Sequence, residues 1–218
     1  MKNFFSPESR LNRTLSVTGD LMLLNVLFIV FSIPLFTVGA SAAALYTVAL
    51  KIEKKEEPPV RKMFIAAFKE NFLKATAIWL ILLAAGFLVW TGWSILMTYA
   101  KVFPFFIFLI YGLIGFFVLM TAGWVFAVLA KFENTVFRTI KTAFILGMTN
   151  PLKGIIITVT TGLIPACFLF LTYWFILFGI LWILLGFSAI AVYNCSIFNK
   201  VFDRLITTTK EGSSWETI

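Results

Sequence analysis

Few side chains in this sequence are able to do chemistry. The 218 residues include no His, which removes the commonest general base and the commonest metal ligand. The two cysteines, Cys167 and Cys195, both lie within apolar runs and are predicted to be buried free thiols. No Walker loop, serine nucleophile elbow, zinc motif or paired-carboxylate site is present. The sequence therefore predicts a protein that is not an enzyme and has no catalytic residues, no metal site and no bound cofactor.

The remaining polar candidates lie beside or within apolar segments. Asp20 is the one acid near such a segment, and a charge at a membrane centre costs about 2.5–3.5 kcal/mol. We expect Asp20 near the inner interface, in water or paired with Arg13 or Lys74, with a proton- or ion-coupling role as the alternative. Asn25 follows one turn deeper, and for it we expect a hydrogen bond to a neighbouring helix. The same interpretation applies to two asparagines near the end of the last apolar run, Asn194 and Asn199.

The composition indicates that lipid surrounds most of this chain. Apolar residues make up 61% of the sequence and charged residues 13%, against roughly half and a quarter in soluble domains. Both a soluble globular protein and a disordered chain are excluded, since disorder needs low hydrophobicity. The net charge of +8 lies in short segments flanking apolar runs, which is typical of membrane topology rather than of nucleic-acid binding.

Four charge-free stretches, residues 21–50, 75–100, 102–130 and 154–199, contain the candidate spans. A spanning helix needs about 20 residues, so the second and third stretches hold one span each and form a hairpin. The fourth is long enough for two spans, with a turn near residues 172–177. The first exceeds one span and falls short of two, and Pro34 near its middle marks either a kink or a turn.

The positive charges in the segments between the stretches number 3, 7, 1, 4 and 3 along the chain. The positive-inside rule then places both termini in the cytoplasm and the turn at Lys101 outside. An even number of crossings must therefore precede segment 51–74, which favours a break at Pro34 near the outer face. A re-entrant hairpin that turns back at Pro34 also fits. A further alternative has five spans, a kinked first helix and an external N-terminus.

The sequence therefore predicts an all-α polytopic transmembrane bundle of about six helices in three hairpins, with both termini cytoplasmic. It forms one membrane domain, residues 1–218, which we divide as follows: a broken first hairpin at 11–53 with a turn at 34–39, an amphipathic helix at 58–72, a second hairpin at 75–130, an amphipathic helix at 134–149, a third hairpin at 154–199 and a cytoplasmic tail at 200–218.

Both amphipathic segments carry apolar residues at spacings of three and four. The stripes comprise Phe64, Ala67, Phe68 and Phe72 in the first segment, and Phe137, Ile140, Phe144 and Met148 in the second. Each helix either lies in the inner interface with its basic side toward anionic lipid, or forms a docking surface for a partner. Small residues four or three apart allow close helix contact elsewhere. The candidate packing or partner residues are Asp20, Asn25, Pro34, Thr37, Gly39, Ala43, Phe64, Phe68, Asn71, Phe72, Gly112 and Gly115.

The first third of the chain resembles a known family. The residues that carry the resemblance, within 4–80, are Gly19-Asp20, Leu24-Asn25, Ile33-Pro34, Thr37, Gly39-Ala40, Ala43-Ala44-Leu45-Tyr46, Phe64, Phe68-Lys69 and Asn71-Phe72. They are similar to the opening of YesL-like proteins, small membrane proteins of Gram-positive bacteria classed as a domain of unknown function. The resemblance implies a multi-pass protein of the bacterial plasma membrane, associated with carbohydrate importers of the ABC class. It implies no catalytic residues.

From this resemblance we expect a non-enzymatic accessory subunit of an oligosaccharide ABC importer. Its partners would be membrane lipid and the permease subunits, with the ATPase and the solute-binding lipoprotein contacted indirectly and no nucleic acid. The chain is not a permease itself, because neither cytoplasmic segment carries the Glu-Ala-Ala loop with a spaced glycine. The alternative is an autonomous small transporter or channel, acting as a single chain or as an oligomer. An intramembrane enzyme is a third hypothesis. Mid-membrane positions are mostly Phe, Leu, Ile and Val, which disfavours a stand-alone polar pathway.

Overall fold

A computed structural model describes residues 10–56, 58–99, 104–164 and 182–214. These residues form helices and connecting turns with no strand, which confirms the all-α fold class. The predicted turn at 172–177, Cys167 and Lys101 lie outside the described residues. The helices are α1 (Arg10–Phe31), α2 (Val38–Glu53), α3 (Val60–Tyr99), α4 (Pro104–Lys131), α5 (Val136–Thr149), α6 (Pro151–Thr158) and α7 (Phe187–Ser214).

Several of these helices are suited to a membrane. Four are long and apolar enough to cross one, in the segments Leu35–Glu53, Val60–Thr98, Phe108–Lys131 and Leu184–Thr207. The number rises to five if α5 and α6, which are bent by 112°, count as one broken span. The chain is therefore built as a polytopic helical bundle.

The first apolar stretch is broken between α1 and α2 by an elbow, which we define as residues 32–37. Pro34 has an extended backbone (φ −73°, ψ 117°) and precedes a single 3₁₀ turn, Leu35–Thr37. The Thr37 hydroxyl lies 2.6 Å from the Phe31 carbonyl oxygen and 2.7 Å from that of Pro34, so it can donate to either. Because the last carbonyls of a helix lack partners within it, Thr37 stabilises the end of α1.

Helix α2 occupies the centre of the bundle and contacts α1, α3, α4 and α7. Its side chains are buried on all sides, including Ala40, Ala43 and Ala44, none of which is exposed. Gly39 lies against α3, where a Cβ would come within 2.6 Å of both the Ala75 carbonyl oxygen and the Trp79 Cβ. A helix that is apolar all round is buried all round, and here the neighbouring helices of the same chain provide that burial.

Helix α3 is one continuous helix of 40 residues, about 60 Å long. The sequence predicts a separate amphipathic helix at 58–72, but the structure contains no break before the following span. The connecting residues Leu73-Lys74-Ala75 are good helix formers, which explains the continuity. The apolar stripe predicted for this segment is covered by another part of the chain. The Phe31 ring centroid lies 5.5 Å from that of Phe64 and 4.9 Å from that of Phe68.

The elbow lies beside the early part of α3. The Trp79 indole Nε1 donates to the Leu35 carbonyl oxygen at 2.8 Å. Trp79 is only about 7 Å along α3 from Lys74, whereas it is about 30 Å from Tyr99. The elbow therefore lies close to Lys74 on α3. The sequence predicts the elbow at the other end of α3, next to Lys101, and the elbow does not reach that end.

Helix α5 packs on the bundle through the face opposite to its predicted apolar stripe, which leaves most of that stripe available to lipid or to a partner. Its buried residues are Thr139, Ala143, Leu146 and Gly147, whereas Phe137, Phe144 and Met148 of the predicted stripe are exposed. The small residues explain this choice, because they let α5 lie close to α4. A Cβ on Gly147 would come within 2.8 Å of the Met120 Cε atom. Size rather than apolarity decides which face is buried, as in other helix pairs within membranes.

The third hairpin departs from α-helical geometry on both arms. The first arm continues from α6 into a π-helical segment, Val159–Leu163, and another such segment, Trp182–Gly186, directly precedes α7. Helix α7 then runs to Ser214, so the predicted tail at 200–218 starts as a continuation of the last helix. Its residues Phe198 and Phe202 are fully buried in the core.

Candidate functional site: a buried polar network and an apolar groove

Each π-helical segment of the third hairpin is associated with a buried asparagine. A π-helical segment disturbs the regular backbone hydrogen bonding of a helix, and such segments are frequent at functional sites. The asparagines are Asn25 on α1 and Asn194 on α7, and neither is exposed. Together with their partners they form the polar network described below.

Asn25 bonds to the backbone around the second π-helical segment. Its side-chain Nδ2 donates to the Trp182 carbonyl oxygen at 3.2 Å, and its Oδ1 accepts from the Ser188 backbone N–H at 2.8 Å. Both backbone groups flank the segment Trp182–Gly186. Asn25 therefore satisfies polar groups at the irregular start of α7 and ties α1 to that helix.

Asn194 bonds to the first π-helical segment through side-chain hydroxyls rather than through its backbone. The Thr160 hydroxyl donates to Asn194 Oδ1 at 2.8 Å, and Asn194 Nδ2 donates to the Thr161 Oγ1 at 3.0 Å. The hydroxyl of buried Tyr46, on the central helix, lies near Thr161 and Asn194. This part of the network joins α2, α7 and the segment that follows α6.

Polar and charged side chains connect the end of α2 to α7. Asn199 Nδ2 donates to Glu53 Oε2, and Lys54 Nζ lies 3.9 Å from Asp203 Oδ1. The side chains of the ion pair are well exposed, so the pair contributes little to stability. The sequence predicts that Asn25, Asn194 and Asn199 bond to neighbouring helices, and the structure shows all three doing so.

The chemistry of the polar network is neutral. It consists of amides, hydroxyls and nearby Cys195, which is buried and free. Among the described residues no group of three His, Cys, Asp or Glu side chains could hold a metal ion. Such hydrogen bonds between membrane helices contribute on average about 0.6 kcal/mol each and at most about 1.7. The network is therefore suited to fixing the position of the third hairpin against the central helix.

The predicted packing residues fall into two groups. Residues of the first group are engaged within the chain: Asn25, Thr37, Gly39 and Ala43 in the core, Phe64, Phe68 and Phe72 in ring contacts, and Asn71 in a bond to the Ala67 carbonyl of its own helix. Asp20 is half-buried on α1. In the second group, Pro34 and Gly112 are exposed and Gly115 is half-buried. Only this second group leaves surface for another molecule.

An apolar groove lies on the α3–α4 hairpin around Gly115. It has a volume of about 330 Å³ and is lined by Gly86, Val89, Trp90, Trp93, Gly115, Val118 and Leu119. Gly86 has no atom within 4 Å of a built Cβ, and Gly115 meets only Val89, at 3.6 Å. The two glycines leave the backbones of both helices bare at the floor of the groove.

Gly86, Trp90 and Trp93 belong to this groove although the sequence interpretation does not single them out. Their spacing of four and then three residues places them on one face of α3, and that signal is present in the sequence. Adjacent aromatic and aliphatic residues obscure it, because the whole segment is apolar.

Comparison with known proteins identifies a family similar to part of the chain. Residues 21–93 match the family model described as "Protein of unknown function, DUF624". The match begins in α1, includes the elbow and α2, and ends on α3 at the groove residue Trp93. It is consistent with the resemblance to YesL-like proteins and overlaps the residues that carry it. No curated protein and no solved structure matches the chain.

Proposed function

We propose that this protein is a YesL-like, non-enzymatic accessory subunit of a carbohydrate ABC importer in the plasma membrane of a Gram-positive bacterium. In this role it packs beside the permease subunits and contacts the ATPase and the solute-binding lipoprotein only indirectly. Both termini lie in the cytoplasm. The resemblance of residues 4–80 supplies the importer association, and the groove on the α3–α4 hairpin supplies the surface.

The groove is the observation that carries this proposal. Beyond residue 80, α3 contacts α4 at Val89, Gly92 and Trp93, and its bulky apolar side chains point outward, with Trp90 69% exposed. Lipid is as apolar as these side chains, so helices associate in membranes by close packing at small residues. Gly86 and Gly115 provide such a place, because no side chain covers them fully.

An autonomous transporter is the second candidate, and the polar network is the observation that favours it. Transporters bind polar solutes at interrupted helices whose freed backbone groups face the substrate. Here Asn25 bonds to the backbone at Trp182–Gly186, and Asn194 bonds to the Thr160 and Thr161 hydroxyls of Val159–Leu163. Because these groups already have partners within the chain, the accessory role is the better-supported proposal.

Uptake of labelled oligosaccharide by a deletion strain tests the accessory role. We expect uptake to fall in the deletion strain and to be restored by the wild-type chain but not by Gly86→Leu or Gly115→Leu, which fill the groove. Gly19→Leu is the matched control, because a Cβ there also meets nothing within 4 Å but lies on α1, away from the groove. Unchanged uptake in the deletion strain would contradict the accessory role in oligosaccharide import.

A further inference from the structure

The elbow between α1 and α2 exposes bulky apolar side chains at its tip. Ile33 is 75% exposed, Leu35 is 79% exposed and Phe36 is 53% exposed. Turns that face water are usually built from Gly, Asn, Asp and Ser, which are accommodated there at little cost. Three large apolar residues at a turn instead indicate that its surroundings are apolar.

Part of the elbow backbone is bonded within the chain, whereas the N–H groups of Leu35 and Phe36 have no such bond to the described residues. The backbone N–H groups of Ser32, Ile33 and Thr37 donate to the carbonyls of Phe28, Val30 and Pro34, respectively, and Pro34 has no N–H. The Thr37 hydroxyl donates to the Phe31 or Pro34 carbonyl oxygen, and the Trp79 indole N–H donates to the carbonyl oxygen of Leu35. Irregular backbone at membrane depth needs its polar groups satisfied by protein or by water, so these bonds lower the cost of placing the elbow beside lipid.

Two lysines indicate the face from which the elbow enters the membrane. Trp79 bonds to the elbow and its ring lies 6.3 Å from that of Phe126 on α4. Lys74 precedes Trp79 by about 7 Å along α3, and Lys131 follows Phe126 by about the same distance along α4. The opposite end of α3, at Tyr99, is about 30 Å from Trp79, which is the thickness of the hydrocarbon core.

We propose that the first hairpin is re-entrant and that residues 33–36 are inserted among the acyl chains of the leaflet on the Lys74 and Lys131 side. Helix α2 then returns to the side from which α1 came without crossing the membrane. Its apolar composition is accounted for by contacts with α1, α3, α4 and α7 rather than by lipid. The end of α2 is consistent with this, because Lys54 and Asp203 meet there at an exposed ion pair.

Site-directed labelling of single cysteines in sealed vesicles tests this proposal, which does not depend on the importer association. The chain carries Cys167→Ala and Cys195→Ala, with Ile33→Cys, Leu35→Cys or Phe36→Cys at the elbow. Three controls serve as references: Glu56→Cys in the exposed loop after α2, Trp90→Cys on the apolar face of α3, and Lys101→Cys, which the sequence predicts on the opposite side of the membrane from Glu56. The elbow side chains are exposed, so their replacement removes little internal packing.

We expect nitroxides at the elbow to collide with oxygen more often than with a water-soluble nickel complex. The same order is expected at Trp90→Cys, and the reverse order at Glu56→Cys. A membrane-impermeant maleimide should modify Lys101→Cys from one face and Glu56→Cys from the other, and should not modify Ile33→Cys from the Lys101 face. Modification of Ile33→Cys from the Lys101 face would show a full crossing and overturn the proposal. Elbow collision rates like those of Glu56→Cys would place the tip in water and would overturn it as well.

Discussion

Replacing Gly39 with leucine is expected to destabilise the protein more than any other single substitution considered for its packing. The clash is with backbone as well as side chain, since a Cβ would lie 2.6 Å from the Ala75 carbonyl oxygen. Overpacking typically costs about 1–3 kcal/mol, and a backbone contact that cannot move aside places this variant at or above the upper end. Thermal unfolding in detergent, followed by size-exclusion chromatography, measures the loss.

Gly39→Ala makes the test sharper because its two expected contributions have opposite signs. Alanine raises helix propensity by about 1 kcal/mol over glycine, so an unhindered site would become more stable. At Gly39 we expect a loss instead, because the clash begins at the Cβ atom. Gly19→Ala and Gly19→Leu are the matched controls, with nothing near the built Cβ. A higher melting temperature for Gly39→Ala would argue against close packing of α2 on α3.

Replacing Asn25 with leucine should loosen the third hairpin. The variant keeps the side-chain size but leaves the Ser188 N–H and the Trp182 carbonyl without Asn25 as their partner. A buried polar group that loses its partner costs about 1–3 kcal/mol. We expect a loss of that size in unfolding titrations in mixed micelles, together with faster hydrogen exchange around residues 182–188.

Asn71→Leu is the control for this experiment. The Asn71 side chain donates only to the Ala67 carbonyl of its own helix, which remains part of the helical hydrogen bonding when the amide is removed. This control should therefore leave exchange at 182–188 unchanged. Equal exchange in Asn25→Leu and wild type would mean that Asn25 does not stabilise the irregular start of α7.

The sequence predicts the class of the fold because lipid imposes strong constraints on composition and length. Charge-free stretches mark the apolar helices, and Pro34 marks the break between α1 and α2. The sequence predicts the wrong position of that break along α3, because hydropathy does not distinguish burial in lipid from burial in protein. Helix α2 is apolar in either case, and its position along α3 is shown by the Trp79–Leu35 bond and by the contact of Gly39 with Ala75.

The faces of the amphipathic helices illustrate a second physical limit. Periodicity identifies an apolar stripe on each helix but does not show whether lipid or protein covers it, and on α3 the stripe residue Phe64 is buried within the chain. On α5 the stripe residues Phe137 and Met148 are exposed, while Ala143 and Gly147 are buried. In lipid a large apolar side chain gains little from leaving the solvent, so the closeness of approach between helices decides the orientation.

Of the candidate site, the sequence predicts the participation of Asn25 and Asn194 but not their partners. Each asparagine bonds to a π-helical segment, and those segments carry no distinctive residue pattern beyond the pair Thr160-Thr161. The sequence predicts Gly115 of the groove as a packing residue. It does not predict the role of Gly86, because that role follows from the pairing of α3 with α4.

Co-purification from native membranes tests the central claim, that the α3–α4 groove receives a permease subunit, most directly. The tagged wild-type chain, Gly115→Leu and Gly19→Leu are solubilised in mild detergent, checked for equal yield and monodispersity, and analysed by mass spectrometry. The account predicts that carbohydrate permease subunits are recovered with wild type and Gly19→Leu and are lost with Gly115→Leu. Recovery of no permease with the wild-type chain, or equal recovery with all three, would contradict it.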